Sequence, residues 1–327
     1  KAEEIHFTSC GTESNNWALR GLMAANKRKG SHLIISAIEH PSVALVAKRL
    51  ESEGARVSLL PVDREGLVSP SALKDALTPE TVVVSIMLAN GEVGTIEPIQ
   101  ELAAIAHEQG ALFHTDAIAA VGHIPVEVKQ LGVDALSLAA DQFDGPRGAA
   151  ALCVRDGVRI LPLLEGGGQE HGGRSGTEAL PAIVGMGVAA QFAKAQLSER
   201  MRRLTELRDR LREGLSKRVA QIRFTGSWAA RLPHNVHVCV DGASSESLVL
   251  GLDHAGVAVG LGSACNSKAM RPSPVLKAMG LTDEQAKGAL VFTLGAWSNE
   301  AEIDEALEII PKVVEQLRNV TKLTVRT

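Results

Sequence analysis

The run Val82-Val83-Val84-Ser85-Ile86-Met87-Leu88 is apolar at every position but one. A strand with one face in water alternates apolar and polar residues, so a run without alternation is covered on both faces. The first half repeats the theme. Leu33-Ile34-Ile35-Ser36, Ala111-Leu112-Phe113, Leu136-Ser137-Leu138 and Ala149-Ala150-Ala151-Leu152-Cys153-Val154 are short apolar runs separated by stretches of helical pattern. Buried strands alternating with helices predict an α/β architecture, a mostly parallel sheet covered by helices.

The pattern predicts a helix over about 15–29, a helix from Ser42 capped by that serine, and a helix from Pro98 to about Gln109 stopped by Gly110. Ile5-His6-Phe7-Thr8 is strand-like, and the strand of 82–88 ends at Asn90-Gly91. A long helix covers 182–220, charged in its second half. Strands are expected near 234–240, 257–261 and 289–295, and helices near 244–255, 282–288 and 299–318. This second half is α+β. The expected division is a large domain, 1–198, and a small C-terminal domain, 199–327.

Composition removes several function classes. With 34 basic against 38 acidic residues, the chain has no electrostatic footprint for nucleic acid or a membrane surface. Six Phe, three Trp and no Tyr leave little for a base-stacking platform. No apolar run is long enough to cross a bilayer. Cys10, Cys153, Cys239 and Cys265 are too scattered for a zinc site or a disulfide framework, so a reducing, cytoplasmic compartment is expected. The chain opens at Lys1, almost directly on a strand-like run, which suggests that an N-terminal piece precedes it.

In a parallel sheet, function gathers past the carboxyl ends of the strands, where His40, Asn90 and Asp116 fall. Ser9-Cys10-Gly11-Thr12-Glu13-Ser14-Asn15 reads as a small-residue turn at a helix N-terminus, an anion cup or a plain cap. Asp116 suits a protonated ring nitrogen or caps a following helix, and His40 suits ring stacking and proton handling or a structural role. Gly166-Gly167-Gly168 and Arg174-Ser175-Gly176-Thr177 form a glycine-rich loop pair, with Arg174 a natural phosphate or carboxylate partner. Gly262-Ser263-Ala264-Cys265 is a small-residue loop whose thiol can act as a nucleophile and carry a persulfide.

In this order, over about 3–320, these segments resemble the NifS/IscS cysteine desulfurases, class V of aminotransferase fold type I. The resemblance implies a homodimer with pyridoxal phosphate as cofactor. Gly11 and Thr12 match the phosphate-binding turn, His40 the ring-stacking histidine, Asn90 a cofactor contact and Asp116 the partner of the pyridine nitrogen. Thr177 matches the threonine that reaches a cofactor phosphate across the dimer, and Cys265 matches the persulfide cysteine.

The departures are as specific as the matches. The family's Ser-x-His-Lys-x-Tyr-Gly-Pro-Lys-Gly stretch reads Ala139-Ala140-Asp141-Gln142-Phe143-Asp144-Gly145-Pro146-Arg147-Gly148, in a register fixed by Gly145-Pro146. Gln142 therefore stands where the cofactor lysine belongs, Asp141 replaces the histidine and Ala139 the phosphate-binding serine. Ala119 replaces a glutamine, and Ala296 replaces the substrate-carboxylate arginine. An amide nitrogen is not nucleophilic and cannot shuttle a proton as an amine does.

The expectation is a desulfurase-like protein of sulfur mobilisation and iron–sulfur cluster assembly. It would be catalytically impaired and act by binding, or as a persulfide or cluster acceptor at Cys265. The alternative is an active desulfurase that passes sulfur from L-cysteine to Cys265 with non-standard cofactor binding. Pyridoxal phosphate would then be held non-covalently, and in the first reading it could be absent. Partners would be a second copy and an iron–sulfur scaffold or sulfur-acceptor protein, with no nucleic acid and no membrane. A third reading, new chemistry at Asp141 and Asp144 on a metal or as acid and base, has no ligand spacing behind it, and no metal is expected.

Overall fold

The structure, a computed structural model, describes residues 1–262 and 272–324. The chain forms two compact units. One comprises Lys1–Val62, Val68–Asn90 and Glu97–Leu197; the other comprises Asp63–Leu67, Gly91–Ile96 and Ser198–Thr327.

The first unit holds a seven-stranded sheet made of β1 (Ile5–Thr8), β2 (His32–Ser36), β3 (Arg56–Leu60), β4 (Thr81–Ser85), β5 (Leu112–Asp116), β6 (Ala135–Ala139) and β7 (Ala150–Val154). Their spatial order is β1-β7-β6-β5-β4-β2-β3. β7 runs antiparallel to both neighbours and the other six strands share one direction. The mostly parallel sheet expected from the apolar runs is present, and β2, β4 and β7 are buried at every position. The helices are α1 (Gly11–Ala25), α2 (Pro41–Ser52), α3 (Pro70–Ala76), α4 (Ile99–Glu108) and α5 (Val128–Leu131). Trp17, Leu19 and Leu22 of α1 pack with Leu33 and Ile35 of β2 and with Val43 and Val46 of α2 in one buried cluster. Burying each such side chain contributes roughly 1.5–3 kcal/mol.

Helix α6 (Leu180–Arg218) begins in this unit and ends in the other. In the second unit, β8 (Ile222–Phe224), β9 (Asn235–Val240) and β10 (Ala289–Thr293) form an antiparallel sheet ordered β10-β9-β8. Helices α7 (Ser245–His254), α8 (Pro274–Ala278), α9 (Asp283–Ala286) and α10 (Glu300–Thr324) complete it. Leu207, Leu211 and Leu215 of α6 share its core with Val238, Leu290 and Ile310.

Several local expectations need correction. Helix α1 starts at Gly11, not near 15, and ends at Ala25. Helix α2 starts at Pro41, and its cap is His40, whose ring accepts from the Ser42 N–H; proline suits the first helical position because it has no N–H to satisfy. The strand predicted over 82–88 stops at Ser85, and the segment beyond it runs on beside β5, with Ile86 and Leu88 donating to the His114 and Asp116 carbonyls. No strand forms near 257–261; Gly260 makes a single bridge with Val291. β3, β8, α3, α5 and α8 went unpredicted. β3 alternates half-heartedly, with exposed Arg56 and Leu59, and so lacks the dense apolar signature.

Candidate active site

Within the first unit, β2, β4, β5 and β6 end side by side, and the loops after them carry the polar residues singled out in the sequence. Asp116 closes β5 and is 5% exposed. Its Oδ1 accepts from the Ile118 N–H at 3.0 Å, and its Oδ2 accepts from Asn15 Nδ2 at 2.6 Å. Burial pushes its carboxyl above the usual range; these two bonds and the nearby His40 oppose that rise. The same Asn15 amide donates to Ser42 Oγ at 2.8 Å, and Ser42 Oγ lies 2.7 Å from His40 Nδ1. One continuous polar chain, Asp116–Asn15–Ser42–His40, thus joins the end of β5 to the exposed imidazole that caps α2. The amide of Asn15, in the first turns of α1, can serve both because the small residues before it let α1 begin close to the sheet.

Asn90 is buried, and its amide donates to the Ile38 carbonyl at 3.0 Å and contacts Met87 Sδ at 3.4 Å. Beneath this layer lies Glu39, which sequence reasoning overlooked. Its Oε1 accepts from Ser36 Oγ at 2.5 Å and from the Met87 N–H at 2.9 Å, tying the end of β2 to the segment after β4. It is buried and pushed up to about 8 by that burial, with Asp116 and Glu97 adding to the rise. The only sequence signal was its place beside His40 at a strand end.

The expected anion cup is the start of α1, with Gly11–Asn15 inside the helix. Cys10 stands at the N-cap without a side-chain cap bond, so the first turn keeps its positive dipole end. Thr12 is exposed. A Cβ on Gly11 would come within 2.2 Å of Ile118 Cδ1 and 3.6 Å of the Ala139 methyl group, so the wall beside this turn is apolar. The phosphate or carboxylate role sketched for Arg174 meets a competitor: its guanidinium grips Glu13 at 2.7 and 3.2 Å. Glu13 also accepts from the Ser9 N–H at 2.8 Å. Thr177 is exposed in the loop before α6. Cys265 lies outside the described residues.

Gln142 sits in a short 3-10 turn, Ala140–Phe143, directly after β6. It is exposed, its side-chain amide nitrogen lies 3.5 Å from Asp141 Oδ2, and its backbone carbonyl oxygen lies 2.9 Å from His123 Nε2. Among the described residues no group of three His, Cys, Asp or Glu side chains is placed to hold a metal, Asp141 and Asp144 included.

The residues fit pyridoxal phosphate in part. The dry carboxylate of Asp116 suits a protonated pyridine nitrogen, and the open first turn of α1 suits a phosphate. The seat for the aldehyde does not fit, because position 142 offers a carboxamide where an amine would be needed and Ala139 offers a methyl group where a hydroxyl would be needed.

The sequence matches the aminotransferase class-V family over residues 1–305. It is 47% identical to a cysteine desulfurase IscS of Methanosarcina thermophila over 321 residues, covering 98% of this chain and 79% of that one. It is 45% identical to the protein of that name from Dictyoglomus turgidum, covering 98% and 82%. Among solved structures, a NifS-like protein superposes with a TM-score of 0.90 at 34% identity, covering 97% of this chain and 84% of that one. A NifS-like protein from Rickettsia africae gives a TM-score of 0.85 at 28% identity, covering 95% and 81%. With sequence and fold in agreement, the chain belongs to the class-V aminotransferase family, in its NifS/IscS cysteine desulfurase branch.

Proposed function

We propose that this protein serves sulfur mobilisation and iron–sulfur cluster assembly as a catalytically impaired desulfurase-like protein, acting by binding or as a persulfide or cluster acceptor at Cys265. The relatives' name, cysteine desulfurase, supports the setting. The observation that carries the impairment is Gln142 in the lysine position, with Asp141, Ala139 and Ala296 changed around it. Losing a nucleophilic amine removes covalent catalysis, a deficit of several orders of magnitude. Losing the arginine removes a bidentate carboxylate clamp that a methyl group cannot replace.

The chain Asp116–Asn15–Ser42–His40 favours a second reading, in which pyridoxal phosphate binds without a covalent bond and slow sulfur release to Cys265 persists. When bound, that cofactor withdraws electrons from the α-carbon of an amino acid. In this reading Asp116 holds a proton on the ring nitrogen, His40 covers the ring and moves protons through Nδ1 and Nε2, and the start of α1 with Thr12, Asn90 and a partner's threonine at position 177 orients the cofactor.

The partners we infer are a second copy of the chain and a scaffold or sulfur-acceptor protein. Leu180, Val184, Val188 and Phe192 form an exposed apolar stripe at four-residue spacing on the first part of α6, which suits a second copy better than water. No described helix is long and apolar enough to cross a membrane.

The deciding experiment is the absorbance spectrum of purified protein before and after pyridoxal phosphate and L-cysteine, alongside cysteine-dependent alanine release. The first reading expects no covalent cofactor signal and no alanine. Alanine production lost in Cys265→Ser would establish the second.

A further inference from the structure

The segment 263–271, which carries Cys265, leaves the described structure at Gly262 and re-enters it at Pro272, just before α8. Both stems meet one pair of buried side chains in the second unit. Glu92 is 11% exposed and His237, on β9, is 0% exposed; Glu92 Oε1 and His237 Nε2 are 3.9 Å apart. On one side, a Cβ on Gly262 would sit 2.9 Å from His237 Nε2 and 3.0 Å from Glu92 Oε1. Only a glycine lets the backbone approach the pair so closely. On the other side, Ser273 makes a side-chain hydrogen bond to Glu92.

The chemistry of Ser273 fixes the direction of that bond. Its Oγ accepts from the N–H groups of Val275 at 3.1 Å and Leu276 at 3.4 Å, as the cap of α8. A hydroxyl has two acceptor sites and one proton. With both acceptor sites used, its proton is what remains for Glu92, so the carboxylate is the acceptor. His237 is kept neutral: burial pulls its ring down to about 3, and Arg231 adds to the drop. Its Nδ1 pairs with Thr225 Oγ1 at 2.5 Å, which leaves Nε2 toward Glu92 and Gly262.

We propose that Glu92 is a positioning residue which, together with His237, clasps both stems of the Cys265 segment, and that ionisation of Glu92 tightens the clasp. The inference rests on the reading of Cys265 as a sulfur-carrying residue only for its biological purpose; the clasp itself stands on Glu92, His237, Gly262 and Ser273. Burial raises the Glu92 carboxyl to about 7 and the Ser273 bond opposes the rise, so its charge changes within the physiological range. As it ionises, the bond from Ser273 becomes charge-assisted and stronger. Among the described residues, Arg231 before β9 acts on His237, and Cys239 on β9 feels Glu92, with Arg223 on β8 and Asp241 after β9 acting on that thiol. Among them Cys239 is held as a thiol, pushed up to about 12, and does not titrate alongside Glu92.

The test is amide hydrogen exchange at Gly262, Val275 and Leu276 in the whole protein, corrected for intrinsic rates, at pH values on either side of about 7, where Glu92 changes charge. In the wild type, protection is expected to rise as the pH climbs through that midpoint. Glu92→Gln, neutral at every pH, should lose about fivefold in protection on the alkaline side, show no step, and match the wild type on the acid side. Gly262→Ala supplies the second variant, with faster exchange on both stems. A wild type without a step, or a step that survives in Glu92→Gln, overturns the clasp. Persulfide on Cys265 is assayed separately by mass after exposure to a sulfur donor. If Cys265 never carries sulfur while the exchange step is present, the functional reading falls and the clasp stands.

Discussion

Asn15 Nδ2 lies 2.6 Å from Asp116 Oδ2, across 101 residues of sequence, and the same nitrogen lies 2.8 Å from Ser42 Oγ. One amide therefore satisfies two buried acceptors, one at the end of β5 and one in the first turn of α2. Replacing it with alanine strands both. Asn15→Ala should cost about 2–4 kcal/mol in urea unfolding, since bonds to charged groups are worth more than neutral ones. Asn15→Asp should cost more at neutral pH, because two carboxylates would then meet at hydrogen-bond distance, and part of that loss should return on acidification as the pair comes to share one proton.

Glu39 predicts a pH dependence of stability. Its carboxyl is pushed up to about 8 in the folded protein from an ordinary value near 4.5. The folded state therefore binds the proton more tightly than the unfolded chain does. Its contribution is fully present below the unfolded value and fades as pH rises toward the folded one. Glu39→Gln removes the ionisation and can still accept from Ser36 and Met87. The variant should gain stability relative to the wild type as the pH is raised through that window, by at least about 1 kcal/mol. An equal difference at both ends of the window would mean that Glu39 does not titrate there.

Gln142→Lys tests the lost anchor directly. The residue is exposed and directly follows β6, so a lysine fits without repacking. With pyridoxal phosphate and borohydride, the variant is expected to carry a stable adduct at position 142, found by peptide mass, and the wild type none. Desulfurase turnover should stay far below that of a complete enzyme, because Ala296 still lacks the carboxylate clamp.

Gly288 sits against the carbonyl of Val240, 2.0 Å from where a Cβ would lie. Gly288→Ala should destabilise the protein by about 2 kcal/mol or more, since backbone blocks the added methyl group and must move. Thermal unfolding followed by circular dichroism reads this.

How much of this was readable in the sequence depended on how local each signal was. β2, β4, β5, β6 and β7 announced themselves because strands buried on both faces need apolar residues throughout. Edge strands do not, and β3 and β8 escaped for that reason. Asp116 and His40 were legible from their places at strand ends. Their connection through Asn15 and Ser42 was not, because it depends on α1 and α2 lying side by side over the sheet. Nor was the cap of α2: both His40 and Ser42 are capping types, and only Pro41 at the first helical position decides between them. Arg174 looked free in the sequence, yet Glu13, 161 residues away, holds it. The losses at Ala139 and Gln142 were visible only because Gly145-Pro146 fixes the register.

Keeping Asp116 in a dry interior lowers the stability of the ligand-free chain, and a positive charge brought within reach would return that energy as affinity. A pocket without its covalent tether would for that reason still discriminate: a flat ring bearing a proton on nitrogen is favoured over a neutral ring of the same shape. Selectivity for an aromatic cation thus rests on this buried carboxylate alone and needs no covalent bond.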